Sequence, residues 1–402
     1  MPGDAARPSR WFVLVTFGLL VATCQLLWLS YAPITSQAHH ALGVSEGAIG
    51  DLAVVNPLMY VLLAIPAGRW MDRHFTTAVS AGALLTAAGA LLRAVDSSSY
   101  GWAIAGQVVV SAGQPLVLNA STKIAARYFP PAERTAAISV ASAAQFVGIL
   151  AATTSGGTLV HGGGLHRVIV LHAVIAVAAA VAVLLALRVP PAYTTVAHAN
   201  AGSALKWLRH DPLMLALAAL LFVGVGVFNA AATWLDSILE DFGHPNTGGH
   251  LIALMTVAGV IGAAVLPNVA ARRDRRRELL LATTLSTVIV FLAVAAVHDI
   301  VFVSCALAVE GFVLLAGLPV VLDWSELDAG PERAATATGL LLLAGNLGGV
   351  VLVLLVQIVI GNAYLALGAM ALLGLPGAAV ALRLPRHARA HGEPVEAGGV
   401  VA

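Results

Sequence analysis

Long apolar stretches alternate with short polar connections along the whole chain. Each stretch is close to the ~20 residues that a helix needs to cross a hydrocarbon core of ~30 Å. Twelve stretches can be drawn, at residues 11–37, 48–67, 75–95, 101–122, 136–160, 167–187, 212–235, 249–271, 279–297, 300–322, 336–360 and 362–382. They lack the period-two alternation of barrel strands, and in lipid a helix satisfies its own backbone polar groups. The pattern therefore predicts an all-α membrane protein with twelve transmembrane helices.

Composition points the same way. Of the 402 residues, 59% are apolar and 10% are charged, whereas about a quarter of the residues in a soluble domain are charged. The two cysteines, Cys24 and Cys305, fall inside predicted helices, so no disulfide framework is expected. A soluble globular protein is excluded. We predict a multi-pass protein of the cell membrane, specifically of a prokaryotic inner membrane.

The basic residues are distributed unevenly between the two ends of the predicted helices. If the N-terminus is cytoplasmic, 19 of the 21 Lys and Arg residues lie inside, and only Arg93 and Arg167 lie at the outer ends. Such a distribution follows the positive-inside rule. It predicts that both termini are cytoplasmic and that the basic clusters lie against anionic lipid headgroups. A nucleic-acid surface is not expected.

The chain divides into two similar halves. The longest polar connection, residues 188–210, lies near the middle of the sequence. It predicts an N-terminal six-helix bundle at 1–187, a cytoplasmic linker at 188–210, and a C-terminal six-helix bundle with a short tail at 211–402. Pro131–Arg134 (Pro-Ala-Glu-Arg) and Pro331–Arg333 (Pro-Glu-Arg) lie about half a chain apart. This spacing favours a parallel repeat, with a substrate site between pseudo-symmetric bundles.

Aromatic and amide side chains inside the apolar stretches are candidates for that site. An indole face can bind a cation or a planar ring with ~0.5–2 kcal/mol, and a buried amide is costly unless it is paired, so it should face the bundle interior. The candidates for substrate binding are Trp28, Gln145, Asn229, Trp234 and Asn346. An interfacial aromatic belt, helix packing and interhelical hydrogen bonds remain alternative roles.

Glu310 is a single acidic residue near the middle of the tenth predicted helix, which contains no Lys or Arg. Ionisable residues at this depth are expensive and usually functional. We therefore predict that Glu310 couples transport to protons. A protonated, hydrogen-bonded structural acid is the alternative.

Charged residues also surround the inner end of the tenth predicted helix. Asp323 and Glu326 lie there. Their position suits an inner gate in which they pair with Arg69, Arg73 or Arg134 when that side is closed. The arrangement predicts alternating access.

The connection between the second and third predicted helices carries a family resemblance. Its sequence, Gly68-Arg69-Trp70-Met71-Asp72-Arg73, resembles the Gly-x-x-x-Asp-Arg signature loop of the major facilitator superfamily, although the family's following Gly-Arg-Arg is absent. The resemblance implies two six-helix bundles and a loop that latches one conformational state, with Gly68 permitting a tight turn. Simple topogenic charge is the alternative role for these arginines.

A narrower resemblance runs through Trp28-Leu29-Ser30-Tyr31, Gln145-Phe146-Val147-Gly148 and Gly317-Leu318-Pro319-Val320. These segments are similar to the haem and choline carrier branch related to the feline leukaemia virus subgroup C receptor. The resemblance implies that Trp28 and Gln145 match residues that enclose a quaternary ammonium group. Asn346 stands where that branch has a glutamine, and Asn229 stands where it has a tyrosine.

The sequence as a whole predicts a secondary active or facilitative transporter of a small organic solute, with cationic and aromatic solutes as candidates. A proton-driven drug or metabolite efflux pump is one alternative, and a membrane sensor or receptor is another. No phosphate-binding Gly-Lys loop and no histidine cluster with ligand spacing is present, so we expect neither an enzyme nor a cofactor or metal site. The expected partners are a small-molecule substrate, protons and membrane lipids, and the expected state is a monomer.

Overall fold

The computed structural model describes residues 7–31, 34–193, 210–244 and 247–387. These residues form helices and short connections and contain no strand. The helices are α1 (Arg7–Trp28), α2 (Thr35–Leu42), α3 (Glu46–Arg73), α4 (Phe75–Val95), α5 (Tyr100–Leu118), α6 (Ala120–Tyr128), α7 (Pro131–Ala186), α8 (Pro212–Asp241), α9 (Gly248–Arg272), α10 (Arg276–Ala296), α11 (Ile300–Leu314), α12 (Gly317–Gln357) and α13 (Ala363–Arg383). Most of the predicted linker, residues 194–209, and both chain ends lie outside the described ranges.

Eleven helical segments of the described residues are long and apolar enough to cross a membrane. Each coincides with one of the predicted stretches, which confirms an all-α membrane protein. The remaining stretch, 48–67, forms α3, which is 28 residues long and contains Pro57 and Pro66. It is not among the eleven segments.

Two predicted helices are interrupted near their C-terminal ends. The stretch predicted at 101–122 ends as α5 at Leu118 and resumes as α6 after Asn119. The stretch predicted at 300–322 is divided between α11 and α12 at residues 315–316. Pro115 and Pro319 accompany the two breaks, because proline lacks the backbone donor that a continuous helix needs. The breaks occupy corresponding places in the two halves of the chain.

Two glycines produce sharp bends where the sequence predicts loops. Gly164 has φ 68° within α7 and Gly330 has φ 70° within α12, a left-handed conformation that glycine adopts without steric penalty. The bends separate the membrane segment 131–154 from 164–186, and 300–330 from 333–357.

Helix pairs within each half and between the halves hold the molecule together. In the first half α1 packs on α7 and α4 packs on α5, whereas in the second half α8 packs on α12 and α10 packs on α13. Between the halves, α3 packs on α12 and α7 packs on α9. A Cβ atom on Gly68 would lie 2.8 Å from the Ala335 carbonyl oxygen, and one on Gly339 would lie 2.7 Å from the Ala64 oxygen. The close approach of α3 and α12 therefore depends on glycine from each side.

Candidate functional site

A cavity of about 1610 Å³ lies between the two halves. Among the residues that the structure describes, its walls carry amides, hydroxyls, one indole and many aliphatic side chains, and none of these lining residues is Asp, Glu, Lys or Arg. At one end the lining includes Thr154 and His250, which are both exposed. We call the other end of the molecule, where Arg73, Arg272 and Arg383 end their helices, the basic end. The cavity opens away from the basic end.

Most of the predicted binding residues meet at this cavity. Trp28, Gln145, Asn229 and Asn346 all contribute to its lining. Trp234 lies outside the lining, because its indole N–H donates to the Val353 carbonyl at 3.1 Å. Its ring therefore packs α8 against α12.

Three glutamines form a chain of amides on the first-half wall. Gln25 Nε2 donates to Gln145 Oε1 at 3.3 Å, and Gln114 Nε2 approaches Gln25 Oε1 at 3.5 Å. Within the described residues, Gln145 Nε2 and Asn56 Oδ1 are buried and have no hydrogen-bond partner. A buried donor or acceptor without a partner carries a desolvation penalty that a bound solute can relieve.

Sequence reasoning missed Gln114 and Asn56 as site residues. Both are amides inside apolar stretches, and each directly precedes a proline, Pro115 or Pro57. An amide inside an apolar stretch is the signal that identified Gln145, and the same signal is present at these two residues.

Behind Trp28 lies a buried arginine. Arg93 is 1% exposed, donates to the Leu27 carbonyl at 2.8 Å and bonds Gln107 Oε1. Gln107 Nε2 in turn approaches the Trp28 carbonyl at 3.5 Å. A cation is favourable at a helix C-terminus, so Arg93 holds the end of α1. Arg93 lies in the last turn of α4, and its side chain points into the protein.

Glu310 is buried next to the cavity rather than in its lining. The carboxyl is 0% exposed, and its Oε1 lies 2.6 Å from the Thr287 hydroxyl. Thr287 itself lines the cavity.

At the basic end, Asp72 joins the two halves. Its carboxylate accepts hydrogen bonds from the backbone N–H groups of Ala335 at 3.2 Å and Thr336 at 3.1 Å, and from the Thr336 hydroxyl. Lys123 Nζ lies 2.6 Å from the same carboxylate. The N–H groups belong to the first turns of α12 after Gly330, where the helix dipole favours an anion.

A second set of contacts closes the basic end beside Asp72. Arg134 Nη1 pairs with Glu326 Oε1 at 3.0 Å. Asp323 accepts from the Thr135 hydroxyl at 2.6 Å and from Arg276 Nε at 2.6 Å. Of the predicted gate arginines, Arg69 is half-buried and Arg73 is exposed. The structure thus brings Arg134, Glu326 and Asp323 together at the seam between the halves.

The family follows from comparison with known proteins. The sequence profile described as Major Facilitator Superfamily matches residues 13–353. The chain belongs to this superfamily. It is therefore a multi-pass membrane transporter and not an enzyme.

Relatives of the superfamily member agree with the narrower resemblance. This chain is 27% identical over 372 residues to solute carrier family 49 member A3 of Danio rerio, and the alignment covers 87% of this chain and 78% of the relative. It is 28% identical over 144 residues to the human choline/ethanolamine transporter FLVCR2, covering 35% of this chain and 27% of that protein. These similarities confirm the predicted relation to the haem and choline carrier branch.

The fold is shared with solved transporters of the superfamily. The crystal structure of FucP in the outward conformation superposes with a TM-score of 0.73 at 17% identity, and it covers 92% of this chain and 99% of that one. A cavity with convergent polar groups between helical halves is the usual form of a transporter binding site. In this superfamily member that cavity is closed at the basic end and open at the other.

Proposed function

We propose that this transporter moves a small organic solute by alternating access, and that the central cavity binds the solute in an outward-open state. The observation that carries the proposal is one cavity with two different ends. Polar contacts between the halves seal the basic end, whereas Thr154 and His250 border the open end. A second state with the reverse arrangement would complete a transport cycle.

The proposal assigns α3 as the twelfth membrane helix. Two six-helix bundles, at 1–187 and 211–402, would then be joined by the linker at 188–210. The basic end would face the cytoplasm together with both termini, in keeping with the positive-inside rule. We place the protein in the cell membrane as a monomer surrounded by lipid, because one chain supplies every wall of the cavity. The prokaryotic inner membrane stays a prediction.

The lining favours a neutral or cationic solute over an anion. No Lys or Arg of the described ranges contributes to it, so a carboxylate or phosphate would lose its hydration without a charged partner. Trp28 supplies an aromatic face for a cation or ring, while Gln145, Asn229 and Asn346 supply amides. Trp234 shapes the wall through its hydrogen bond to Val353, which lines the cavity.

The inner gate consists of residues from both halves. Asp72 and Arg134 hold α12 in the closed arrangement through the contacts given above. When the basic end opens, hydrogen bonds to water must replace these contacts. The complete gating set is Gly68, Arg69, Asp72, Arg73, Arg134, Asp323 and Glu326.

Proton coupling at Glu310 supports a second candidate function, proton-driven efflux of drugs or metabolites. The supporting observation is a buried carboxyl hydrogen-bonded to Thr287, a residue of the cavity wall. An uptake carrier and an efflux pump can share this feature, since the direction follows from the gradients rather than from the site.

Ligand-dependent thermal shifts test the binding site directly. The purified transporter is screened against choline, ethanolamine, larger aromatic amines, organic anions and haem, and active compounds are then followed by uptake into proteoliposomes. We expect an amine to raise the melting temperature and Trp28→Ala to remove that shift. The matched control Trp102→Ala alters an exposed indole that does not line the cavity. Stabilisation that survives Trp28→Ala unchanged would rule out this binding site for the compound.

A further inference from the structure

A single hydroxyl connects Glu310 to the cavity in the part of the chain that the structure describes. Thr287 Oγ1 lies 2.6 Å from Glu310 Oε1 and 3.1 Å from the Thr283 carbonyl oxygen. The same threonine lines the cavity, whereas Glu310 does not. The second carboxyl oxygen, Glu310 Oε2, is buried without a hydrogen-bond partner among those residues.

The Thr287 hydroxyl has one proton for two acceptors. If it donates to Glu310, the carboxylate can be ionised and is held by that bond. If it donates to the Thr283 carbonyl, Glu310 must be protonated to donate to Thr287 Oγ1. Each arrangement of one side chain therefore matches one protonation state of the acid.

No charged side chain of the neighbouring helices compensates Glu310. Its helix, α11, packs on α9 and α10, whose charged or titratable residues lie in the first three positions or at the last position of each helix. They are His250, Arg272, Arg276, Arg277 and Glu278. The polar groups beside Glu310 are the hydroxyls of Thr287 and Ser286, and on α11 itself Cys305 is exposed. An ion in this place is expensive, so a change of protonation needs a polar route to water.

We propose that Thr287 is the proton relay between Glu310 and the cavity, a step that rests on the proposed coupling role of Glu310. When Glu310 Oε1 gives its proton to Thr287 Oγ1, the hydroxyl passes its own proton to a water or to a solute acceptor in the cavity. The reverse transfer protonates the acid again. One proton moves in each direction, and Thr287 stays neutral. A solute that contacts the hydroxyl occupies the route, which links cavity occupancy to protonation.

Carbodiimide labelling tests the relay without a known substrate. Dicyclohexylcarbodiimide is an apolar reagent that modifies protonated carboxyls, and mass spectrometry measures the adduct at Glu310 in proteoliposomes. After a jump from acidic to alkaline buffer, wild-type Glu310 should lose reactivity quickly as it releases its proton. Thr287→Val keeps the shape of the side chain and should slow this loss at least about tenfold, whereas Thr287→Ser should restore it.

Two variants serve as matched controls. Glu310→Gln should give no adduct at this position. Thr284→Val removes a hydroxyl that bonds the Leu281 carbonyl at 3.0 Å, one turn from Thr287, and should label like wild type. A wild-type rate in Thr287→Val would overturn the relay. If adduct formation at wild-type Glu310 does not change with buffer pH, both the relay and the coupling role of Glu310 are wrong. Solute flux into proteoliposomes then still tests alternating access separately.

Discussion

Asp72 accepts a hydrogen bond of 3.1 Å from the backbone N–H of Thr336, a residue 264 positions further along the chain. The bond places a carboxylate from the first half on the N-terminal turns of a helix from the second half. Charge-assisted bonds of this kind are short and strong. We therefore expect closure of the basic end to depend on the charge at Asp72.

Asp72→Asn should weaken closure of the basic end. The amide keeps one acceptor but loses the charge that Lys123 and the helix terminus stabilise, at a cost of about 1–3 kcal/mol. Spin-label distances across the basic end should show a larger open population. Asp96→Asn is the control, because the Asp96 carboxylate accepts hydrogen bonds from Ser98 within an exposed loop. Equal open populations in the two variants would contradict this role.

Arg134 and Glu326 should behave as a coupled pair. Replacing either partner leaves a poorly compensated charge, since Glu326 is 1% exposed, so Arg134→Gln and Glu326→Gln should each favour opening. The double variant should destabilise the closed state by less than the sum of the two single variants, with a coupling free energy of about 0.5–3 kcal/mol in a double-mutant cycle. Additive losses would show that the pair does not act as a unit.

Gly339→Ala should separate α3 from α12. The new Cβ atom would lie 2.7 Å from the Ala64 oxygen, and overpacking of this kind costs about 1–3 kcal/mol. Crosslinking of cysteines across the two helices should become slower. Gly368→Ala is the control, because a Cβ there meets nothing within 4 Å. Unchanged crosslinking in Gly339→Ala would refute the tight interface.

Arg93→Gln should destabilise the outer part of the first half. It removes the donor to the Leu27 carbonyl and leaves Gln107 without its cation, which corresponds to a loss of about 1–3 kcal/mol. Arg93→Lys should rescue only part of this loss, because an ammonium cannot replace the planar guanidinium fork. The measurement is the melting temperature, with Arg167→Gln at an exposed position as control. A melting temperature equal to that of the control would count against the role of Arg93.

The hydrophobic pattern predicts the helices well because length and apolarity are local properties of the sequence. It does not predict the breaks at Asn119 and at residues 315–316, since a broken helix remains apolar throughout. The direction of a side chain also depends on packing: Trp28 lines the cavity, whereas Trp234 bonds α12. For the same reason the sequence identifies Glu310 as unusual but cannot show that Thr287 separates it from the cavity.

At the basic end, too, the sequence identifies the charged residues but not all of their contacts. Sequence reasoning pairs Glu326 with three possible arginines, and the structure selects Arg134. The sequence does not predict the hydrogen bonds that Asp72 accepts from the N–H groups of Ala335 and Thr336, because every residue type except proline carries the same backbone donor. The two donors lie near the start of the helical segment that follows Gly330.

Distances between paired spin labels at the two ends of the cavity test alternating access most directly. In a background without Cys24 and Cys305, one pair is attached at Thr154 and His250, and the other at Thr76 and Arg273. With Asp72→Asn added, or with a stabilising amine bound, we predict a second population in which the first distance is shorter and the second is longer. If both distances change in the same direction, or if neither pair ever shows a second population, the two ends do not open in alternation and the proposed transport mechanism is wrong.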